Sequence, residues 1–433
     1  MINPLLAIAA ELSRRGVTGL HVASEEKAGP MVEQATINSP ITFHPHPDEI
    51  FSVDAETYRA ITLGPFTTKG ATTLLRAFRR PEVTRALYER TLAEIDRIRP
   101  GLMVVDLVSI GALDAAQTRG VPYILSVSGL PSLAFQQSLP WSYPYPLTGL
   151  PRLMSRRQKA ASAAFRIRML LAMLMTLDLR DARRRKAEGI ANPFGDLEQY
   201  GARAESIFAY TVFGLEIPFP THEQLRMLGT MIPPTASTTP AKSGELSTWL
   251  DQHDSIVYVN FGTLANLSAP QLKVLAEALT RIAADHHVLW KLPTDQQSRL
   301  PPGLPDGIRL VTWVSDQPEV FGHPHVRAVV THGGANLLHE SLYFGQPMFV
   351  MPFWLDCYDL ASRVVDAGAG LAVDRPPHLD ADEITAKIER LLTDDAFRGC
   401  ARKWSAELRA AGGVSRAADL ILQGARVPQH QTP

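Results

Sequence analysis

Cysteine is almost missing from this 433-residue chain: Cys357 and Cys400 are the only two. They build neither a disulfide framework nor a metal-ligand cluster, and they fit a reducing compartment. A surplus of either charge is missing too. Lysine and arginine number 43 against 44 acidic residues, so no overall field draws the chain to nucleic acid. No apolar run reaches the roughly 18 residues of a spanning helix, and no secretory leader is legible at the start. No carboxylate pair points to a metal. The expectation from these absences is a cytoplasmic enzyme with no metal and no resident cofactor. What is present is ordinary in amount: 45% apolar and 20% charged residues, enough for two α/β domains.

Apolar β-branched runs alternate with helical periods, the pattern of parallel α/β units. Residues 4–15 read as an amphipathic helix and 19–23 as a strand. Then come helix 81–97, strand 102–106, helix 111–119 and strands 123–128 and 206–211. At 232–242 the chain turns to I-P-P-T-A-S-T-T-P-A-K, a linker composition. A second block follows, with strand 256–261, helix 270–284, strands 287–291 and 308–311, and helical segments at 382–392 and 396–423.

The stretch from Trp313 to Asp359 carries the chemistry. An apolar strand at 326–330 runs into His332-Gly333-Gly334, and a helix opens at Ala335 or Asn336. Such a junction leaves backbone N–H groups and a positive dipole end free for a phosphate. The ligand is larger than phosphate alone. Trp313 offers a stacking face for a base, Glu340 sits about one turn into the helix, and Asp356 follows the next apolar strand.

That order, W then H-x-G-x-N-x-x-x-E then P-x-x-x-D, resembles the nucleotide-sugar signature of family 1 glycosyltransferases, the UDP-glycosyltransferases. The resemblance covers most of the chain and is most specific in the second half. It implies an α/β fold of the GT-B type, two Rossmann-like domains facing a cleft. Residues 1–232 would bind the acceptor, 233–415 the UDP-sugar co-substrate, and 416–433 would return to the first domain. It also implies that Trp313 stacks on uracil, that His332, Gly334 and Asn336 hold the diphosphate, that Glu340 takes the ribose hydroxyls, and that Asp356 takes sugar hydroxyls. V-N-F-G-T at 259–263 resembles the family's phosphate turn and places Thr263 there. Singly, these residues read as a turn, a solvated helix face and a core tryptophan; in this order they read as one donor site. Three departures stand out. Leu337 replaces the family's Ser, Cys357 replaces its Gln, and one extra residue between Trp313 and His323 leaves the roles of Asp316 and Gln317 open.

The opening M-I-N-P-L-L-A-I-A-A-E-L-S-R-R-G resembles the family's G-H-I-N-P-L-L-A-L-A segment, in which the His is the general base after the first strand. Met1 stands at the His position. The first domain is therefore expected to be truncated at its N-terminus, lacking base and central strand, through a start assigned too late. Asp106, ending L-M-V-V-D, matches the aspartate that orients that His; its other reading is a cap on the following helix. His44 and His46 are expected in a loop rather than as a substitute base.

On the acceptor side, Phe135 and Trp141, with W-S-Y-P-Y-P, form an aromatic, proline-stiffened loop suited to an apolar pocket. Residues 152–186 are strongly basic around the apolar M-L-L-A-M-L-M. They read either as a peripheral membrane or lipophilic-acceptor helix, or as a helix whose Met/Leu stripe packs on the core. The expected function is inverting transfer of a hexose, glucose or similar, from UDP-sugar to a hydroxyl of a small lipophilic acceptor such as a terpenoid, polyketide or lipid. The alternative is a catalytically inactive sugar-nucleotide-binding or helper protein on the same fold.

Overall fold

A computed structural model describes residues 2–46, 55–78, 80–233, 244–376 and 378–426. The linker expected at 232–242 lies almost wholly outside the described residues. The chain enters through α1 (Asn3–Arg14), where a proline in the first turn and an unbroken Leu/Ala/Ile run favour helix. Strand β1 (Leu20–Glu25) then pairs in parallel with β2 (Ile41–His46).

Helix α2 (Pro81–Ile98) leads to β3 (Met103–Asp106), and α3 (Ile110–Arg119) to β4 (Tyr123–Val127). Two further helices, α4 (Arg156–Met175) and α5 (Leu179–Ala187), precede β5 (Ser206–Ala209) and β6 (Leu225–Met227). Strands β3 to β6 form one parallel sheet in sequence order, and among the described residues it is separate from the β1–β2 pair. Helix α1 spans both sheets: Ala7, Ile8 and Leu12 pack with Ile124 and Phe208, while Leu6 and Ala10 pack with Val32 beside Val22.

His44 and His46 are therefore strand residues, not loop residues. His44 shares a 2.9 Å hydrogen bond with His21 and lies 3.3 Å from Glu94. The alternation F-H-P-H, with both imidazoles buried, is a period-of-two pattern that the prolines masked.

The second half is a six-stranded parallel sheet of order β12-β11-β10-β7-β8-β9. Its parts in chain order are β7 (Ile256–Asn260), α6 (Ala269–Ile282), β8 (His287–Lys291), β9 (Ile308–Val311), α7 (Gln317–Gly322) and β10 (Val326–Thr331). Then follow α8 (Ala335–Tyr343), β11 (Met348–Val350), α9 (Asp356–Asp366), β12 (Gly370–Ala372) and α10 (Ala381–Thr393). Every residue of β7 and β11 is buried, as a sheet with helices on both faces requires.

The long helix expected at 396–423 is two helices, α11 (Asp395–Ala410) and α12 (Gly413–Arg426). Gly412, with φ of 94°, and Gly413 opening α12, with φ of 51°, make a left-handed break that glycine accepts without steric cost. Helix α12 crosses back to the first half. Ala417, Ala418 and Ile421 join the α1 cluster, and Arg15 meets Asp419 at 2.5 Å.

Candidate active site

The sheet of the second half presents polar residues at the ends of otherwise apolar strands: Asn260 on β7, Lys291 on β8 and Thr331 on β10 lie in register. Carboxyl ends of parallel strands are where this architecture places ligands. From Thr331 the chain passes through His332, Gly333 and Gly334 into α8. Gly333 has φ of 83°, and a Cβ there would meet Val350 Cγ1 at 2.7 Å, so both backbone and space require glycine. A Cβ on Gly334 would overlap the His332 imidazole, and one on Gly262 would sit 2.9 Å from its Cε1. Two glycines from two turns thus make the slot that the ring fills.

Burial pulls the His332 pKa down to about 4, so the ring is neutral at physiological pH. Its Nδ1 is buried with no hydrogen-bond partner among the described residues. A neutral imidazole beside a helix N-terminus donates a hydrogen bond to an anion without a counter-charge of its own.

Glu340 is held by a chain of hydrogen bonds running back to the β7 turn. Gln317 Nε2 donates to its Oε2 at 2.6 Å, Asn260 Nδ2 donates to Gln317 Oε1 at 2.9 Å, and the Gly262 N–H donates to Asn260 Oδ1 at 2.9 Å. Burial raises the Glu340 pKa to about 7, against the smaller opposing effects of Gln317 and Lys291. Trp313 is 64% exposed, with Lys291 Nζ 4.3 Å from its ring centroid. The ammonium backs the ring and leaves indole surface open for a base. Thr263 is exposed in the turn after β7.

Asp356 opens α9 directly after Leu355, whose φ of 32° is an unusual backbone state for a branched side chain. Burial, reinforced by the neighbouring Asp359 carboxylate, raises the Asp356 pKa to about 6. Cys357, at the position of the family's Gln, is 1% exposed; its carbonyl lies 3.4 Å from where a Cβ on Gly333 would stand. It packs beneath the glycine turn. Leu337 likewise is buried in the core beside β10.

Two of these residues, Asn336 and Glu340, open onto a narrow pocket shared with the first half. Asn336, His339 and Glu340 line one side; Pro4 at the start of α1, Ser128 and Tyr210 line the other. Asp106 ends β3, in register with Ser126 on β4. Its Oδ1 accepts the Val108 N–H at 3.2 Å, and α3 has no side-chain cap, so Asp106 is not a helix cap. Its Oδ2 is buried without a hydrogen-bond partner among the described residues, and burial raises its pKa.

The acceptor-side expectations divide. Trp141 is exposed, with the Arg166 guanidinium 4.7 Å above its ring. Phe135 is not a pocket wall. It is 1% exposed, edge-on to His222 and packed in the core with Ile207 and Tyr200. The local sequence gave no sign that Phe135 turns inward while Trp141 turns out. The sequence reading also missed Asn260 and Lys291, although polar residues ending apolar strands were the available signal.

A model of the family described as UDP-glucoronosyl and UDP-glucosyl transferase matches residues 86–406. Among similar proteins, UDP-glucuronosyltransferase 2A1 of Rattus norvegicus is 24% identical over 303 residues, 69% of this chain and 56% of that one. Erythritol-mannosyl-transferase 1 of Pseudozyma antarctica (strain T-34) is 33% identical over 117 residues, 26% of this chain and 19% of that one. The chain thus spans little more than half the length of the rat relative. Two solved structures share its fold. The glycotransferase of kitacinnamycin has a TM-score of 0.70 at 19% identity, covering 98% of this chain and 95% of its own. UDP-glucose: anthocyanidin 3-O-glucosyltransferase in complex with UDP has a TM-score of 0.68 at 18% identity, with 98% and 96% covered. With this fold and a family match running through β3, β7 and the whole Trp313–Asp356 region, the chain belongs to the UDP-glucuronosyl and UDP-glucosyl transferase family and has the GT-B fold.

Proposed function

We propose that the protein moves a neutral hexose from a UDP-sugar to a hydroxyl of a small lipophilic acceptor, with inversion at the anomeric carbon. The observation that carries this reading is the His332 slot. A neutral imidazole with a free ring nitrogen, wedged between two glycine turns at the start of α8, suits a diphosphate that gains charge as it leaves. Trp313 would stack on the base, Glu340 would accept the ribose hydroxyls, and Thr263, Gly334 and Asn336 would hold phosphate oxygens. Asp356 would take sugar hydroxyls. The Asp356 carboxylate at the start of α9 disfavours a uronate donor and favours an uncharged hexose.

In the transfer step a base removes the acceptor hydroxyl proton, the oxygen bonds to the anomeric carbon, and the bond to the β-phosphate breaks with its electron pair leaving on UDP. The unpartnered Oδ2 of Asp106 is suited to orient an N–H of that base. Trp141 would line the acceptor side. The same reading gives residues 152–186 a peripheral contact with a membrane.

The test is incubation with UDP-glucose and a panel of hydroxylated terpenoids and polyketides, reading acceptor-dependent UDP release and product configuration. A β-glucoside from the α-linked donor is the expected product, and retained configuration overturns the mechanism. Tight UDP binding without release favours the binding-protein alternative.

A further inference from the structure

Helix α4 is apolar along its second half, yet the core takes little of it. Phe165 and Met169 are buried against the second half of the molecule, whereas Ile167, Leu170, Leu171, Leu174 and Met175 face solvent. The packed-stripe reading of 152–186 therefore fails for most of these side chains. Leu174 is 55% exposed and Met175 86%. At Thr176 to Asp178 the chain bends by 60° into α5, which adds exposed Leu177 and Leu179 to the same corner. The apolar side chains thus form a projecting tip rather than a groove.

Cations bracket the tip. Arg168 stands on the α4 side and Arg180 and Arg183 on the α5 side, all exposed, while Arg156, Arg157 and Lys159 continue the basic surface toward the start of α4. The nearby carboxylates are already engaged. Asp178 caps α5 by accepting the Arg180 and Asp181 N–H groups, and Asp181 pairs with Arg184. The five basic groups Arg156, Arg157, Lys159, Arg180 and Arg183 have no ion pair among the described residues.

We propose that the α4–α5 corner docks the protein on an anionic lipid surface, with Leu171, Leu174, Met175 and Leu177 entering the acyl boundary and the flanking arginines meeting lipid phosphates. This rests on the peripheral-contact reading above and deepens it by naming the lipid charge and the inserted residues. It is independent of the transfer chemistry. The charge pattern decides for this occupant: an apolar apex ringed by unpaired cations matches headgroup phosphates lying outside acyl chains. The 60° bend, and the arginines through the first half of α4, exclude a single spanning helix here. Two to three turns back along α4, Phe165 packs on Tyr145 and Arg166 covers Trp141, so the same helix reaches the acceptor side. An acceptor dissolved in the bilayer would leave it beside that loop.

The experiment is co-sedimentation of the full chain with vesicles of phosphatidylglycerol and phosphatidylcholine, against phosphatidylcholine alone, at low salt and at about 0.5 M salt. The variants are Leu171→Ser/Leu174→Ser/Met175→Ser and Arg180→Glu/Arg183→Glu. UDP affinity and Tm serve as fold controls, since neither set touches the donor site. Binding to anionic vesicles only, weakened about tenfold or more by either variant and by salt, is the expected result. Equal binding to both vesicle types overturns the anionic assignment but leaves peripheral contact standing. No binding to either overturns both. Concentration-dependent dimers abolished by the serine variant, without vesicle binding, would assign the corner to a second copy of the chain.

Discussion

At the level of single residues, the proposed donor site depends on a few atoms whose removal has distinguishable effects. Trp313→Ala removes the exposed ring backed by Lys291. Base stacking of this kind is worth about 1–3 kcal/mol, so UDP affinity by calorimetry should fall roughly fivefold to 150-fold with Tm little changed. Gly334→Ala drives a methyl into the His332 ring and should weaken diphosphate binding at least about tenfold, while binding of uridine, which lacks the phosphates, stays near normal.

Glu340 supplies a pH signature. Its pKa is raised to about 7, so its carboxyl is protonated below that value and loses the acceptor capacity proposed for the ribose hydroxyls. UDP-glucose, whose phosphates do not titrate near neutrality, should therefore bind more weakly as pH falls from about 8 to about 6, and Glu340→Gln should flatten that profile. Asp356 gives a donor ranking: kcat/KM for UDP-glucose should exceed that for UDP-glucuronate by at least about tenfold, measured by UDP release.

Among elements, the contact between halves is written in α9. Arg363 lies 2.9 Å from Glu216 and also donates to Tyr143, and Glu216 in turn accepts from the Ser132 hydroxyl at 2.9 Å. Both charged side chains are almost fully buried, so removing one strands the other. Arg363→Met should cost about 3–5 kcal/mol in denaturant unfolding, and adding Glu216→Leu should recover much of it. None of this was readable in the sequence, because a Glu and an Arg separated by 147 positions carry no local pattern.

What was readable follows the same logic. Strands β3, β4, β7, β8 and β9 were placed within a residue or two, because their apolar runs end at polar or glycine punctuation. The residues of the proposed donor site could be grouped from the sequence because one strand–turn–helix unit and its neighbour carry most of them. β2 escaped because its prolines mimic a loop. Gln317 could be named but not assigned, since its role depends on Asn260, 57 positions away. Phe135 and Trp141 look equivalent in sequence, and only packing against His222 sends one inward.

In the molecule as a whole, the chain passes between its halves twice, and the passages touch. The segment after β6 meets the α11–α12 break: the Gly413 N–H donates to Leu228 O at 2.8 Å, and a Cβ on Gly229 would overlap Leu408 O. His339 of α8 is tied to the same place, sharing a 2.8 Å hydrogen bond with Thr211 while its carbonyl accepts from the Thr230 hydroxyl at 3.2 Å. Two strands of chain lying side by side behave as one pivot line rather than two independent tethers. The halves are therefore stitched along one line, with the Gly412 turn closing against Leu228 and Gly229. Helix α8, bearing Asn336 and Glu340, is fastened beside that line, so the proposed donor site is anchored to the first half through its own helix.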